Sequence, residues 1–187
     1  MKNIVELETK RLILRQWHKE DLEAFALLNA DPEVMEFFPK VLSRKESNEM
    51  AEKIKNLISD RGWGFWAVEV KNENPFIGFV GLHEPHYDLP FNPCVEIGWR
   101  LAKNYWGMGY ATEAGSASLE FAFDQLNLDE VYSFATVHNI KSQAVMGRLR
   151  LKNTMSNFNH PAIPKDSPLR EHVLYKIDKK SWVLNHV

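Results

Sequence analysis

Two glycines one residue apart, Gly107 and Gly109, stand in "RLAKNYWGMGYATEA" (100–114), where a strand-like run hands over to a helix-like run. Glycine takes left-handed dihedrals at little cost and lets an anion approach the backbone with no Cβ in the way. A helix start leaves N–H groups unpaired and carries partial positive charge, so it can hold phosphate oxygens. A tight connection with no ligand needs the same freedom, and the glycines alone leave both readings open. Two nucleotide loops are excluded: no Gly-Lys-Ser/Thr follows, and the third glycine of a dinucleotide fingerprint is missing.

A second candidate lies just upstream. In "CVEIGWR" (94–100) strand alternation puts Val95, Ile97 and Trp99 on one face and Glu96, Gly98 and Arg100 on the other. A carboxylate in the middle of a central strand is costly unless it is paired or wet. Glu96 is therefore either an ion-pair partner of Arg100 or a general base reached by water. In the second case Gly98 leaves room for a substrate. Asn139 and Ser142 open "NIKSQAVMGRL" (139–149), where their types suit a helix cap.

The elements that must position these residues follow from periodicity. "RLILRQW" (11–17) reads as a strand, and "KEDLEAFALLNAD" (19–31) as a helix stopped by Pro32. "SRKESNEMAEKIKNLISDRG" (43–62) is the clearest helix: Ser43 and Glu46 have capping-box spacing, Met50, Ile54, Leu57 and Ile58 form a stripe, and Gly62 lies past the end. Strands are expected at 64–70, 76–82, 94–102, 130–138 and 172–178, the first two as a hairpin. Helices are expected from the glycine turn to about Leu126 and from Ile140 to Arg150. The order β-α-α-β-β-β-α-β-α-β predicts a single α/β domain over 1–187, with a mixed sheet of six to seven strands and about four helices.

Composition narrows the class. The net charge of −2 gives no electrostatic footprint for nucleic acid. No run approaches the ~18 apolar residues of a membrane span. The start "MKNIVELETKRL" lacks a signal peptide's apolar block, and Cys94 is the single cysteine, so a cytoplasmic protein without disulfide or cysteine-based zinc site is expected.

Taken together, "VEIGWRLA", the glycine turn and "NIKSQAVMGRL" resemble the GCN5-related N-acetyltransferase family, in the branch that includes the ribosomal-protein N-terminal alanine acetyltransferases. The resemblance runs from "ETKRLILRQWHKEDLEAFALLNADPEVM" to "HVLYKI". It implies acetyl-coenzyme A as cosubstrate, no metal, and transfer of acetyl to a primary amine, on a small molecule or a protein N-terminus. The family's pyrophosphate motif, Gln/Arg-x-x-Gly-x-Gly/Ala, falls on Asn104, Gly107 and Gly109, with asparagine in place of a long side chain. Backbone amides from Asn104 through Met108 and Tyr110 to Ala111 would make the phosphate contacts. Two parallel strands would splay around the pantetheine arm, whose amides would pair with the edge at Trp99, Arg100 and Leu101. Asn139 and Ser142 match the family's Asn-x-x-Ser beside the thioester, which makes Ser142 a catalytic candidate with Glu96.

Two positions depart from the family. The motif helix ends "LRL" where relatives have "LGF" or "LGM", which sets Arg150 at a position that favours left-handed glycine. Relatives with a catalytic tyrosine carry it at the position of Met146. The acceptor groove is expected from 31–41, 83–93 and 157–172, with Glu36, Phe37, Phe38, His83 and Tyr87 as substrate-binding candidates. Acidic groups beside aromatics suit a cationic amine with an apolar body; solvated loop charges and rim aromatics are the alternative. No nucleic-acid or membrane partner is expected, and the protein is expected as monomer or homodimer. The rival reading is a non-catalytic acyl-coenzyme A sensor on the same fold.

Overall fold

The computed structural model describes residues 3–184; positions 1–2 and 185–187 of the expected 1–187 domain lie outside the described residues. These residues cluster into two compact units. One holds the chain up to Leu82 together with Gly98–Ser118, the other His83–Ile97 together with the chain from Leu119 onward.

In the first unit, β1 (Leu7–Glu8), β2 (Leu12–Arg15), β3 (Phe65–Val70) and β4 (Asn74–His83) pair antiparallel in sequence order. The expected β3–β4 hairpin forms, with Trp66 opposite Val80. Its core gathers Leu12, Leu14, Trp17, Phe25, Ile58, Trp66 and Ile77, all buried. Helix α1 (Asp21–Ala30) is tied to α2 (Arg44–Arg61) by Asn29, whose amide donates to Ser47 Oγ at 2.9 Å. The α2 signals act as read: Ser43 and Glu46 close a capping box, and Gly62 ends the helix in the left-handed conformation. Arg15 and Asp21 form a buried two-bond ion pair at 2.8 and 2.9 Å. Strand β5 (Glu96–Leu101) ends in this unit, and helix α3 (Tyr110–Asp124) begins in it.

In the second unit the start of β5 pairs parallel with β6 (Glu130–Thr136), Glu96 standing in register with Tyr132. Strand β6 pairs antiparallel with β9 (Glu171–Asp178) along its whole length. The short strands β7 (Lys152–Asn153) and β8 (Phe158–Asn159) also pair with β9. Helices α4 (Ile140–Arg148) and α5 (Lys179–Leu184) complete the unit.

The mixed α/β class and its parallel pair are as expected, but the counts are not. The described residues hold nine strands and five α-helices, against six to seven and about four. The additional strands are two residues long and lie where no periodicity can develop.

Candidate active site

In the first unit β5 runs into Ala102, a short 3-10 turn covers Lys103–Tyr105, and the two glycines follow. Gly107 has φ 77 and Gly109 φ 81. Both dihedrals lie in the left-handed region, where any other residue is strained. A Cβ at Gly107 would meet nothing within 4 Å, and the turn is exposed.

The bond that opens α3 runs from the Glu113 N–H to the Gly109 carbonyl at 3.0 Å. Upstream of it, the N–H groups of Gly107, Met108, Gly109, Tyr110, Ala111 and Thr112 donate to no protein acceptor among the described residues. A helix start alone leaves its first four N–H groups free; the glycine turn lengthens that row. Glycine conformation, open space and bare donors together fit a pyrophosphate.

Sequence reasoning missed what holds this turn. Arg11 donates from Nε to Glu113 Oε2 at 2.6 Å and from Nη1 to the Met108 carbonyl at 3.0 Å. Its guanidinium carbon lies 4.5 Å from the centroid of the Tyr110 ring. Thr9 Oγ1 and the Arg11 N–H also donate to Glu113 Oε1, at 2.7 and 2.9 Å. Partners about a hundred positions apart leave no local signal, although an acid in a helix's first turn is itself a common pattern.

Arg100 does not pair with Glu96 as the first reading of the strand allows. It turns its guanidinium to Asn29 Oδ1, at 2.6 Å, and lies 4.0 Å from the centroid of the Phe38 ring. It makes no ion pair among the described residues, and burial pushes it down to about 10. A Cβ at Gly98 would stand 3.2 Å from the Phe65 ring, so a side chain there would crowd that ring. Trp99 is half-buried and Leu101 is buried. Asn104 is exposed. Glu36, Phe37 and Phe38 share one segment; Glu36 is exposed, and Phe38 covers Arg100.

In the second unit, Glu96 accepts no hydrogen bond and meets no cation among the described residues. Burial alone pushes its carboxyl up to about 8. Burial, with the Glu96 charge behind it, pushes the Cys94 thiol up to about 11. Asn139 caps α4, accepting the Ser142 N–H on Oδ1 at 3.0 Å. The Ser142 hydroxyl has no partner among the described residues. Met146, at the position of the absent tyrosine, is buried.

Arg150 has φ 66. Its N–H bonds the Gly147 carbonyl and the Leu151 N–H bonds the Met146 carbonyl, both at 3.0 Å, which is a Schellman closure without its glycine.

The loop 83–93 and the segment 157–172 hold a ring cluster. His83 meets His86 edge-on at 5.1 Å, and Tyr87 meets His160 at 4.9 Å. Phe91 stacks on Tyr132 at 5.2 Å and also meets Phe134 and Phe158. Phe91 is thus packed among rings of its own unit. His160 and His172 lie 5.0 Å apart within it. Burial and the His172 charge push His160 down to about 4, and burial lowers His172. Among the described residues no group of three or more His, Cys, Asp or Glu could hold a metal ion, and no helix is long and apolar enough to cross a membrane.

Comparison with known proteins gives this geometry a context. A family model described as "Acetyltransferase (GNAT) domain" matches residues 11–152. The chain is 26% identical over 179 residues to the "Uncharacterized N-acetyltransferase YnaD" of Bacillus subtilis, covering 95% of this chain and 99% of that relative. It is 29% identical over 184 residues to the "FsC-acetyl coenzyme A-N(2)-transacetylase" of Aspergillus fumigatus, covering 95% and 77%. An acetyltransferase (GNAT family) from Bacillus anthracis shares the fold with a TM-score of 0.78 at 23% identity, over 94% of this chain and 99% of that one. With a model match across most of its length, the chain belongs to the GNAT family of acetyltransferases.

Proposed function

We propose that residues 1–187 act as one domain that transfers acetyl from acetyl-coenzyme A to a primary amine. The observation that carries this reading is the row of unpaired N–H groups from Gly107 to Thr112. Such a row suits the pyrophosphate of an acyl carrier. We assign the backbone of Asn104, Gly107, Met108, Gly109, Tyr110 and Ala111 to the phosphates, and the backbone of Trp99, Arg100 and Leu101 to the pantetheine amides.

An amine attacks only when neutral, and amines range from ~7.7–8.0 for an α-amino group to ~10.4 for a lysine-like one. Glu96, its carboxyl raised to about 8, titrates where a general base serves such an acceptor. It takes the amine proton, directly or through a water. The amine nitrogen bonds the acetyl carbon, the carbon–sulfur bond breaks, and the sulfur leaves as thiolate. A thiol with a pKa of ~8.5 needs no obligatory acid, so Met146 in place of a tyrosine is tolerated. The unpaired Ser142 hydroxyl donates to the sulfur, with Asn139 setting the helix start that presents it. An N–H near Trp99 or Arg100 stabilises the oxyanion.

Glu36, Phe37 and Phe38 on one segment and His83 and Tyr87 on another are assigned to the acceptor. Carboxylate and ring faces suit a cationic amine with an apolar body. The experiment is a free-thiol release assay with acetyl-coenzyme A across N-terminal peptides, polyamines and aminoglycosides. Turnover with one amine class is expected; tight acetyl-coenzyme A binding with no turnover on any class would favour the sensor instead.

A further inference from the structure

Arg11 opens the strand-like run 11–17 without any role assigned to its side chain, yet it touches the glycine turn and the first turn of α3 at once. Nη1 holds the Met108 carbonyl, Nε holds Glu113, and the guanidinium plane covers the Tyr110 ring. The Met108–Gly109 peptide is trans, since the cis peptide bond among the described residues is Asn92–Pro93. In a planar trans peptide the carbonyl and the N–H point to opposite sides. Anchoring the Met108 carbonyl on Arg11 therefore aims the Gly109 N–H away from it, toward the side that lacks a protein acceptor.

Glu113 presents an opposite problem. A carboxylate in a helix's first turn is favoured by the helix field, and for that reason competes with an incoming anion for it. Here that carboxylate is engaged by the Thr9 hydroxyl, the Arg11 N–H and Arg11 Nε. Both its charge and its acceptor oxygens are thereby drawn off the free N–H groups.

We propose that Arg11 is a positioning residue for the pyrophosphate: it orients the Gly109 N–H through the Met108 carbonyl and neutralises Glu113 beside the phosphate site. The proposal rests on the reading of the turn as that site. It requires a planar fork, because one side chain must bond a carbonyl and a carboxylate together. A lysine ammonium on a flexible stem is a point charge and cannot reproduce this.

The test is calorimetric titration of acetyl-coenzyme A into the wild type, Arg11→Ala and Arg11→Lys, beside S-acetyl-pantetheine, which has the thioester arm without the pyrophosphate. Arg11→Ala should weaken acetyl-coenzyme A binding by about tenfold or more, Arg11→Lys should fail to restore it, and S-acetyl-pantetheine should not discriminate among the three proteins. The KM for acetyl-coenzyme A should rise more than kcat falls. If Arg11→Ala does not fold, Arg11→Lys carries the comparison alone. Wild-type affinity in a folded variant, or equal losses for both ligands, would overturn the role of Arg11. A wild type that binds no acetyl-coenzyme A would overturn the reading of the turn, and this proposal with it.

Discussion

The N–H of Arg150 donates to the carbonyl of Gly147 at 3.0 Å while Arg150 itself sits at φ 66, so a side-chain-bearing residue closes α4 where glycine is at ease. Three residues earlier Gly147 occupies the helix interior, exposed, where a Cβ would meet open space beyond the helix's own backbone. The helix thus carries its glycine in the wrong place for stability.

Arg150→Gly should accordingly stabilise the protein by about 1 kcal/mol, the cost of a left-handed Cβ. Thermal melting should rise by about 2–4 °C for a chain of this size. An unchanged or lower midpoint would show that the Arg150 side chain contributes more than the strain removes.

Substitutions in the glycine turn should separate strain from ligand contact. Gly107→Ala meets open space, so its cost is confined to the dihedral, about 1–2 kcal/mol of stability. At Gly109 a Cβ would stand 3.4 Å from Arg11 Nη2. Gly109→Val should therefore lose acetyl-coenzyme A affinity by about tenfold or more, roughly 1.4 kcal/mol, and more than Gly107→Ala does. Calorimetry on folded variants measures both; equal, wild-type affinities would contradict the turn's assignment.

What the chain's pattern disclosed and what it hid divide along range. The α2 capping box, the hairpin and the glycine turn are local, and each is written in neighbouring residue types, whereas the left-handed position of Arg150 was legible only against the glycine that the resembling family carries there. Strands of two residues, such as Lys152–Asn153, are too short to show alternation. Helix α5 escaped because it spans six residues directly after β9. Its start is marked only by Asp178, which accepts the Ser181 N–H at 2.8 Å. The Glu96–Arg100 pairing looked natural at four residues' spacing on one strand face, but Arg100 found Asn29, far away in sequence, instead. Arg11 and Glu113 were invisible for the same reason.

Glu96 should leave a signature in stability as well as rate. The unfolded chain's glutamate titrates near ~4.3, the folded one near about 8. Between those values the folded state keeps a proton that the unfolded state releases. The contribution is full below the unfolded pKa and is lost as pH rises through 8. Glu96→Gln cannot ionise, so between pH 5 and 9 it should gain on the wild type by an amount on the order of a few kcal/mol. Melting curves of the two proteins that stay parallel across that range would contradict an unpaired, half-buried carboxyl held back from water.

The paired histidines should act with the opposite sign. His160 is pushed down to about 4 by burial and by the His172 charge, against ~6.5 unfolded. Its contribution is full above the unfolded pKa and is lost as pH falls through 4. His160→Phe, entering a cluster of rings, should flatten the fall of stability with pH between about 6.5 and 4. Urea midpoints across that range measure it; an unaltered slope would remove His160 from the account.

Acetyl transfer with Glu96 as base stands or falls on the pH–rate profile of thiol release at saturating acetyl-coenzyme A, wild type against Glu96→Gln. The base must be ionised, so the wild-type rate should climb with pH and level off above about 8. Glu96→Gln should keep its acetyl-coenzyme A affinity and lose about 10²-fold or more in turnover at neutral pH. Its deficit should narrow as pH approaches the amine's own pKa, because the acceptor then arrives neutral. A Glu96→Gln variant with near-normal turnover at pH 7, or a wild-type profile without a rise toward pH 8, would contradict the claim.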